Sequence, residues 1–112
     1  MDNQPTDDLW TTLAATAADA RRRLQRRSPA WWRDATPAGE TRADRVARLV
    51  AELAALDPTA HGRGAPPRPG RDATLADQLA VVAGDLERER AEAAEAAVRA
   101  IRDALRDVDP RR

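Results

Sequence analysis

The chain of 112 residues contains no cysteine, which excludes disulfides, thiol nucleophiles and thiolate metal sites. This composition fits a reducing compartment, so we expect a cytoplasmic protein. The first eight residues are acidic and lack the apolar stretch of a signal peptide. No run of about 18 apolar residues occurs anywhere, so the sequence predicts no membrane span.

Side chains suited to nucleophilic catalysis are also scarce. The chain has one serine, Ser28, and one histidine, His61, and nucleophilic catalysis also needs a group that orients the base. Glu89, Glu92 and Glu95 could form a carboxylate-only metal site, but the arginines between them favour ordinary ion pairs along a helix. No glycine-rich phosphate loop is present. The sequence therefore predicts no enzymatic activity, no cofactor and no metal.

Large apolar side chains are few as well. Leu, Val, Ile, Met and Trp together number 21, while Phe, Tyr and Lys are absent. Burial of one such side chain stabilises a fold by about 1.5–3 kcal/mol, whereas ordering one residue costs about 1–2 kcal/mol of backbone entropy. We therefore expect a single domain, residues 1–112, with a marginal core. A partner or self-association could supply the missing burial.

The first half of the chain contains the signals of two helices. Helix 1 is predicted at about 7–27, with Thr6 as its N-cap, and its apolar residues recur at steps of three and four: Trp10, Leu13, Ala17, Ala20 and Leu24. A tryptophan-bearing connector, 28–36, follows and could hold a short helix capped by Ser28. Helix 2 is predicted at about 37–56, where Thr41 and Asp44 fit a capping box and the apolar stripe is Val46, Leu49, Val50, Leu53 and Leu56.

The second half predicts a loop and one long helix. Residues 57–73 contain four prolines and three glycines, which is typical of a linker. Helix 3 is predicted at about 75–109, capped by Thr74, with a length of roughly 50 Å. Its two apolar stripes differ in phase, so the helix either changes its contact face or bends near Gly84 or in the alanine tract. We favour one continuous helix whose first half packs antiparallel to helix 2.

These elements predict an all-α fold, a small bundle of three helices, or four if the connector is helical, with a long C-terminal helix. The function that fits best is a helical protein–protein interaction module, an adaptor, assembly or regulatory protein. Its partner would be a second copy or another helical protein. The predicted interface combines one tryptophan of the connector with an apolar stripe at the end of helix 3: Trp31, Trp32, Val98, Ile101, Leu105 and Val108.

The alternative function uses the basic run at the end of helix 1. Five arginines lie within seven residues, and the tryptophans nearby could stack on bases: Arg21, Arg22, Arg23, Arg26 and Arg27. A small nucleic-acid-binding regulator would use such a face. Against it, the formal net charge is zero, and cations at the end of a helix also stabilise the helix dipole.

Overall fold

The computed structural model describes residues 5–56, 66–86 and 91–109. Five helices lie in these ranges: α1 (Pro5–Gln25), α2 (Pro29–Arg33), α3 (Arg42–Ala55), α4 (Thr74–Gly84) and α5 (Ala91–Val108). The described ranges contain no strand, only one isolated bridge between Ala35 and Thr41. The all-α fold class is therefore confirmed, and the tryptophan-bearing connector does contain a short helix, α2.

Two of the predicted helix caps are confirmed. The hydroxyl of Ser28 accepts a hydrogen bond from the backbone N–H of Trp31 at 3.2 Å, and that of Thr41 accepts one from Asp44 at 3.0 Å. The predicted cap at Thr74 is wrong, because the capping position of α4 is Ala73, which has no side-chain acceptor. Preceding turn bonds, such as Leu75 N–H to the carbonyl of Asp72 at 2.9 Å, satisfy the first amides instead.

Helices α1 and α3 each pack against both α4 and α5, and α2 packs against α3. The core between them combines a few large side chains with many alanines. Alanines at the contacts let the helix axes approach closely, so few large residues are needed to fill the space. Buried members of the core include Trp10, Trp32, Leu24, Leu49, Leu53, Leu75, Leu79, Ala94, Ala97 and Ile101.

The ion pairs between helices define the direction of each helix. Asp77, near the start of α4, binds Arg21 near the end of α1, so these two helices are antiparallel. Asp107, near the end of α5, binds Arg45 near the start of α3, so α3 and α5 are antiparallel as well. All these contacts gather at one end of the bundle, which we call the ion-pair end.

The antiparallel arrangement predicted for helix 2 and the first half of helix 3 is wrong. Arg68, just before α4, binds Asp44 in the first turn of α3 at 3.1 Å. The starts of α3 and α4 therefore lie together, and the two helices run in the same direction. The chain can bring them into this arrangement because a long segment, 57–73, separates them.

The single long helix predicted at 75–109 is also wrong. Helix α4 ends at Gly84, a turn follows at Asp85, and α5 begins at Ala91. Glycine weakens a helix by about 1 kcal/mol relative to alanine, and the two apolar stripes on either side of the break do not share a face. A straight helix would have carried the second stripe away from the core. The break returns it to α1 and α3.

Candidate functional site

The apolar stripe of α5 is the first predicted interface, and most of it lies inside the bundle. Ile101 and Val108 have no exposed surface, Val98 is 7% exposed, and only Leu105 is partly buried. The exposed interface predicted for these residues is therefore wrong for this chain, because α1 and α3 already cover them. The stripe is a core stripe, and the break after Gly84 is the feature that makes it one.

The basic run of α1 is largely neutralised by carboxylates of the chain itself. Arg22 and Arg23 lie 3.3 and 3.4 Å from Asp19 one turn earlier. Arg23 also reaches Asp109 at 3.2 Å, and Arg27 binds the same carboxylate at 2.9 Å. Arg23 and Arg27 hold the end of α1 to the end of α5, whereas Arg22 pairs only within α1, and the charge of all three is only partly available to a polyanion.

Arg21 and Arg26 complete the basic run. Arg21 and Gln25 both donate to Asp77, at 2.8 and 3.1 Å. Arg26 is exposed and forms no ion pair within the described ranges. The five arginines predicted as one polyanion face therefore divide into three that bind α4 or the end of α5 (Arg21, Arg23 and Arg27) and two that remain exposed without an ion pair to another described helix (Arg22 and Arg26).

The two adjacent tryptophans differ in burial. Trp32 is 1% exposed and belongs to the core, while Trp31 remains partly exposed. Their rings meet edge to face, with centroids 5.2 Å apart and planes at 88°. The guanidinium groups of Arg27 and Arg42 lie 4.9 and 4.7 Å from the centre of the Trp31 ring. Trp31 therefore binds cations of its own chain and joins α1 to α3.

A surface of mostly small, uncharged residues lies on α1 and α4, and we call it the neutral face. Its core is a groove of about 220 Å³ lined by Ala14 and Ala18 on α1 and by Ala80 and Gly84 on α4, with Arg21 as the one charged residue of the lining. Val81 follows Ala80 in the chain and is 61% exposed, the most exposed large apolar side chain of the described ranges. The rest of the neutral face is Thr11 and Ala15.

The apolar stripes did not predict the neutral face, because its residues are small and lie off those stripes. A usable signal was still present in the sequence. Residues 9–18 and 78–84 contain no charged side chain, although 34% of the chain is charged. Once α1 and α4 pack antiparallel, these two uncharged segments lie side by side. The packing of α1 against α4 thus brings two uncharged segments of the sequence together in one surface.

The two ends of the neutral face carry opposite charge. Arg22 and Arg26 are exposed near the end of α1; Arg26 forms no ion pair within the described ranges, while Arg22 lies 3.3 Å from Asp19 of its own helix. Asp8 and Asp85 are exposed at the opposite end, next to the groove residues Trp10 and Leu86. The neutral face therefore has a basic end, which coincides with the ion-pair end of the bundle, and an acidic end.

Comparison of the chain with protein-family models, curated proteins and solved structures found no match. Among the described residues, none of the helices is long and apolar enough to cross a membrane, and no three acidic or histidine side chains gather as metal ligands. Ser28 is a helix cap, while His61 and Glu89 lie outside the described residues. The surface of the bundle is therefore the part of the molecule from which a function can be inferred.

Proposed function

We propose that this protein is a non-enzymatic helical interaction module that self-associates through the neutral face. The observation that carries the proposal is the 61% exposure of Val81, next in the chain to a groove whose lining is uncharged apart from Arg21. Neutral, small-residue helical surfaces allow another helix to approach closely without desolvating charge. Replacing water over such a surface by a protein partner buries apolar area, which favours association.

Charge complementarity favours a second copy as the partner. Two copies related by a twofold axis and docked antiparallel bring the basic end of one neutral face onto the acidic end of the other. Arg22 and Arg26 of one copy then face Asp8 and Asp85 of its partner copy. Such a pairing is the self-complementary arrangement that a twofold dimer requires, and the zero net charge of the chain adds no overall repulsion.

The size of the neutral face predicts a reversible dimer. Ten uncharged residues of α1 extend about 15 Å, and adjacent helix axes lie about 8–10 Å apart. With side chains, the face covers roughly 300 Å², below the approximately 800 Å² per partner of a stable complex. Association should therefore depend on concentration, and the test must cover a wide range of concentrations.

The test measures absolute mass by light scattering during size-exclusion chromatography, with sedimentation equilibrium as a second method. A range of about 10 µM to 1 mM covers association free energies of roughly −7 to −4 kcal/mol. The native chain should rise from 12.2 kDa toward twice that mass. Ala18→Glu and Val81→Glu each place a charge in the face and should remain monomeric.

Ala51→Glu is the matched control, because Ala51 is an exposed alanine on the outer side of α3. It adds the same charge to a helix without touching the neutral face, so its self-association should equal that of the native chain. A native chain that stays monomeric at 1 mM would overturn the proposal. Equal dimerisation of Ala18→Glu and Ala51→Glu would assign the dimer to another surface.

A further inference from the structure

A second cleft lies at the ion-pair end, away from the groove of the neutral face, and it is rich in arginine. It has a volume of about 440 Å³, within the range of small-molecule sites. One wall comes from the end of α1 and from α2, and the other from the turn before α4. The residues that line it are Arg27, Pro29, Trp32, Arg33, Gly70, Arg71, Asp72 and Ala73.

The cleft carries positive charge that the described chain does not neutralise. Arg33 and Arg71 are both exposed, and neither forms an ion pair within the described ranges. Asp72, the only carboxylate of the lining, lies 3.9 Å from Arg68. Most other described arginines do have a carboxylate partner. Arg33 and Arg71 are two of the five described arginines without an ion pair, and they come from two different walls of one cleft.

The start of α4 adds to this positive potential. Ala73 lines the cleft and occupies the capping position of α4, an eleven-residue helix whose first amides already bond to the preceding turn, so the helix contributes its dipole there and no free N–H donor. The positive end of the helix dipole thus lies at the same cleft as Arg33 and Arg71. Arg27 contributes a third guanidinium, which it shares with Asp109 at 2.9 Å.

We propose that this cleft binds the phosphate or diphosphate group of a small molecule. Arg33 and Arg71 hold the group from opposite walls, because guanidinium forks match the oxygens of phosphate and form strong charge-assisted hydrogen bonds with it. Arg27, already bound to Asp109 and close to the Trp31 ring, supplies a fixed positive charge behind them. The remaining volume of the cleft accommodates the part of the molecule that bears the phosphate.

The test titrates the full chain with inorganic phosphate and with pyrophosphate at constant ionic strength. Binding is followed by calorimetry and by tryptophan fluorescence, since Trp32 forms part of the cleft wall and contacts Trp31. Pyrophosphate should bind more tightly than phosphate, and Arg33→Gln or Arg71→Gln should each weaken binding about tenfold. Both residues are exposed, so thermal unfolding should be unchanged.

Arg102→Gln is the matched control, because Arg102 is exposed, has no ion pair within the described ranges and lies on α5 away from this cleft. It should bind pyrophosphate as the native chain does. No saturable binding at about 10 mM, or an equal loss in Arg102→Gln, would overturn the proposal. So would a DNA duplex that binds more tightly than pyrophosphate with a steep salt dependence, because that result would indicate a diffuse polyanion surface.

Discussion

Helices α4 and α5 come from one stretch of sequence that predicts a single helix, yet they present different surfaces to solvent. Beyond Asp77 the outer side of α4 is uncharged, with Val81 and Gly84 exposed. The outer side of α5 carries a series of charged side chains: Glu95, Arg99, Arg102 and Arg106. The apolar stripe of α5 is wholly or partly covered by α1 and α3: Val98, Ile101, Leu105 and Val108. A regular apolar stripe in this molecule thus predicts core, whereas the surface that we propose for docking consists of small residues beside such a stripe.

The strongest test of this contrast introduces aspartate on each helix. Ile101→Asp places a charge where the side chain has no exposed surface. We expect this substitution to lower the free energy of unfolding by more than about 4 kcal/mol, which is enough to unfold a marginal bundle. Val81→Asp changes a side chain that is 61% exposed and should change the free energy of unfolding by less than about 0.5 kcal/mol. Urea unfolding followed by circular dichroism, at dilute concentration, measures both. A native-like midpoint for Ile101→Asp would contradict the burial of the α5 stripe.

A smaller effect is expected where α5 meets α3. Arg45 is only 5% exposed, and its Nε donates to Asp107 at 2.6 Å, while one of its terminal nitrogens has no acceptor in the described ranges. Asp107→Asn removes the charge that compensates Arg45 and should lower the free energy of unfolding by about 1–2 kcal/mol. This value lies in the lower part of the range for a buried charge, because Asp107 itself is half exposed.

Asp85→Asn on the α4 side is the control for that measurement. Asp85 is exposed and has no ion pair within the described ranges, so its substitution should change stability by less than about 0.5 kcal/mol. Equal effects of the two substitutions in thermal unfolding would mean that the contact between Arg45 and Asp107 adds little to the stability of the bundle.

The smallest effect is expected at the boundary between the two helices. Gly84 has a negative φ, and a Cβ added there would meet no atom within 4 Å. Gly84→Ala should therefore stabilise the protein by about 0.5–1 kcal/mol. Gly39 is the contrasting position, because its φ of 102° suits glycine alone, and Gly39→Ala should destabilise by about 1 kcal/mol. Calorimetric melting of the two variants should show shifts of opposite sign.

Local features of the chain were predictable from its sequence, because each depends on neighbouring residues. The caps at Ser28 and Thr41, the apolar face of α3 and the burial of Trp10 are of this kind. Features that depend on which helices meet were not predictable. The partners of Arg23 and Arg27 are 82 and more residues away along the chain, at Asp109, and no local pattern indicates such a pairing.

The break between α4 and α5 likewise could not be predicted from neighbouring residues alone. Gly84 and the phase change between the stripes both indicate a possible interruption, but alanine and glutamate after it are strong helix formers. Local propensity alone favours continuity, whereas burial of Ile101 and Val108 against α1 and α3 requires the break. The energy of tertiary packing therefore decides the outcome, and that energy is not visible until the bundle is assembled.

Because α3 and α4 run in the same direction, the proline-rich segment that connects them must have a minimum length. The chain leaves α3 at its far end and must return to the start of α3, where Arg68 binds Asp44. That return covers about 21 Å, the length of fourteen helical residues, whereas ten extended steps from Leu56 to Pro66 can reach about 35 Å. About six extended steps suffice for this distance, so deletion of more than about four residues would force α4 to reverse direction or leave the bundle.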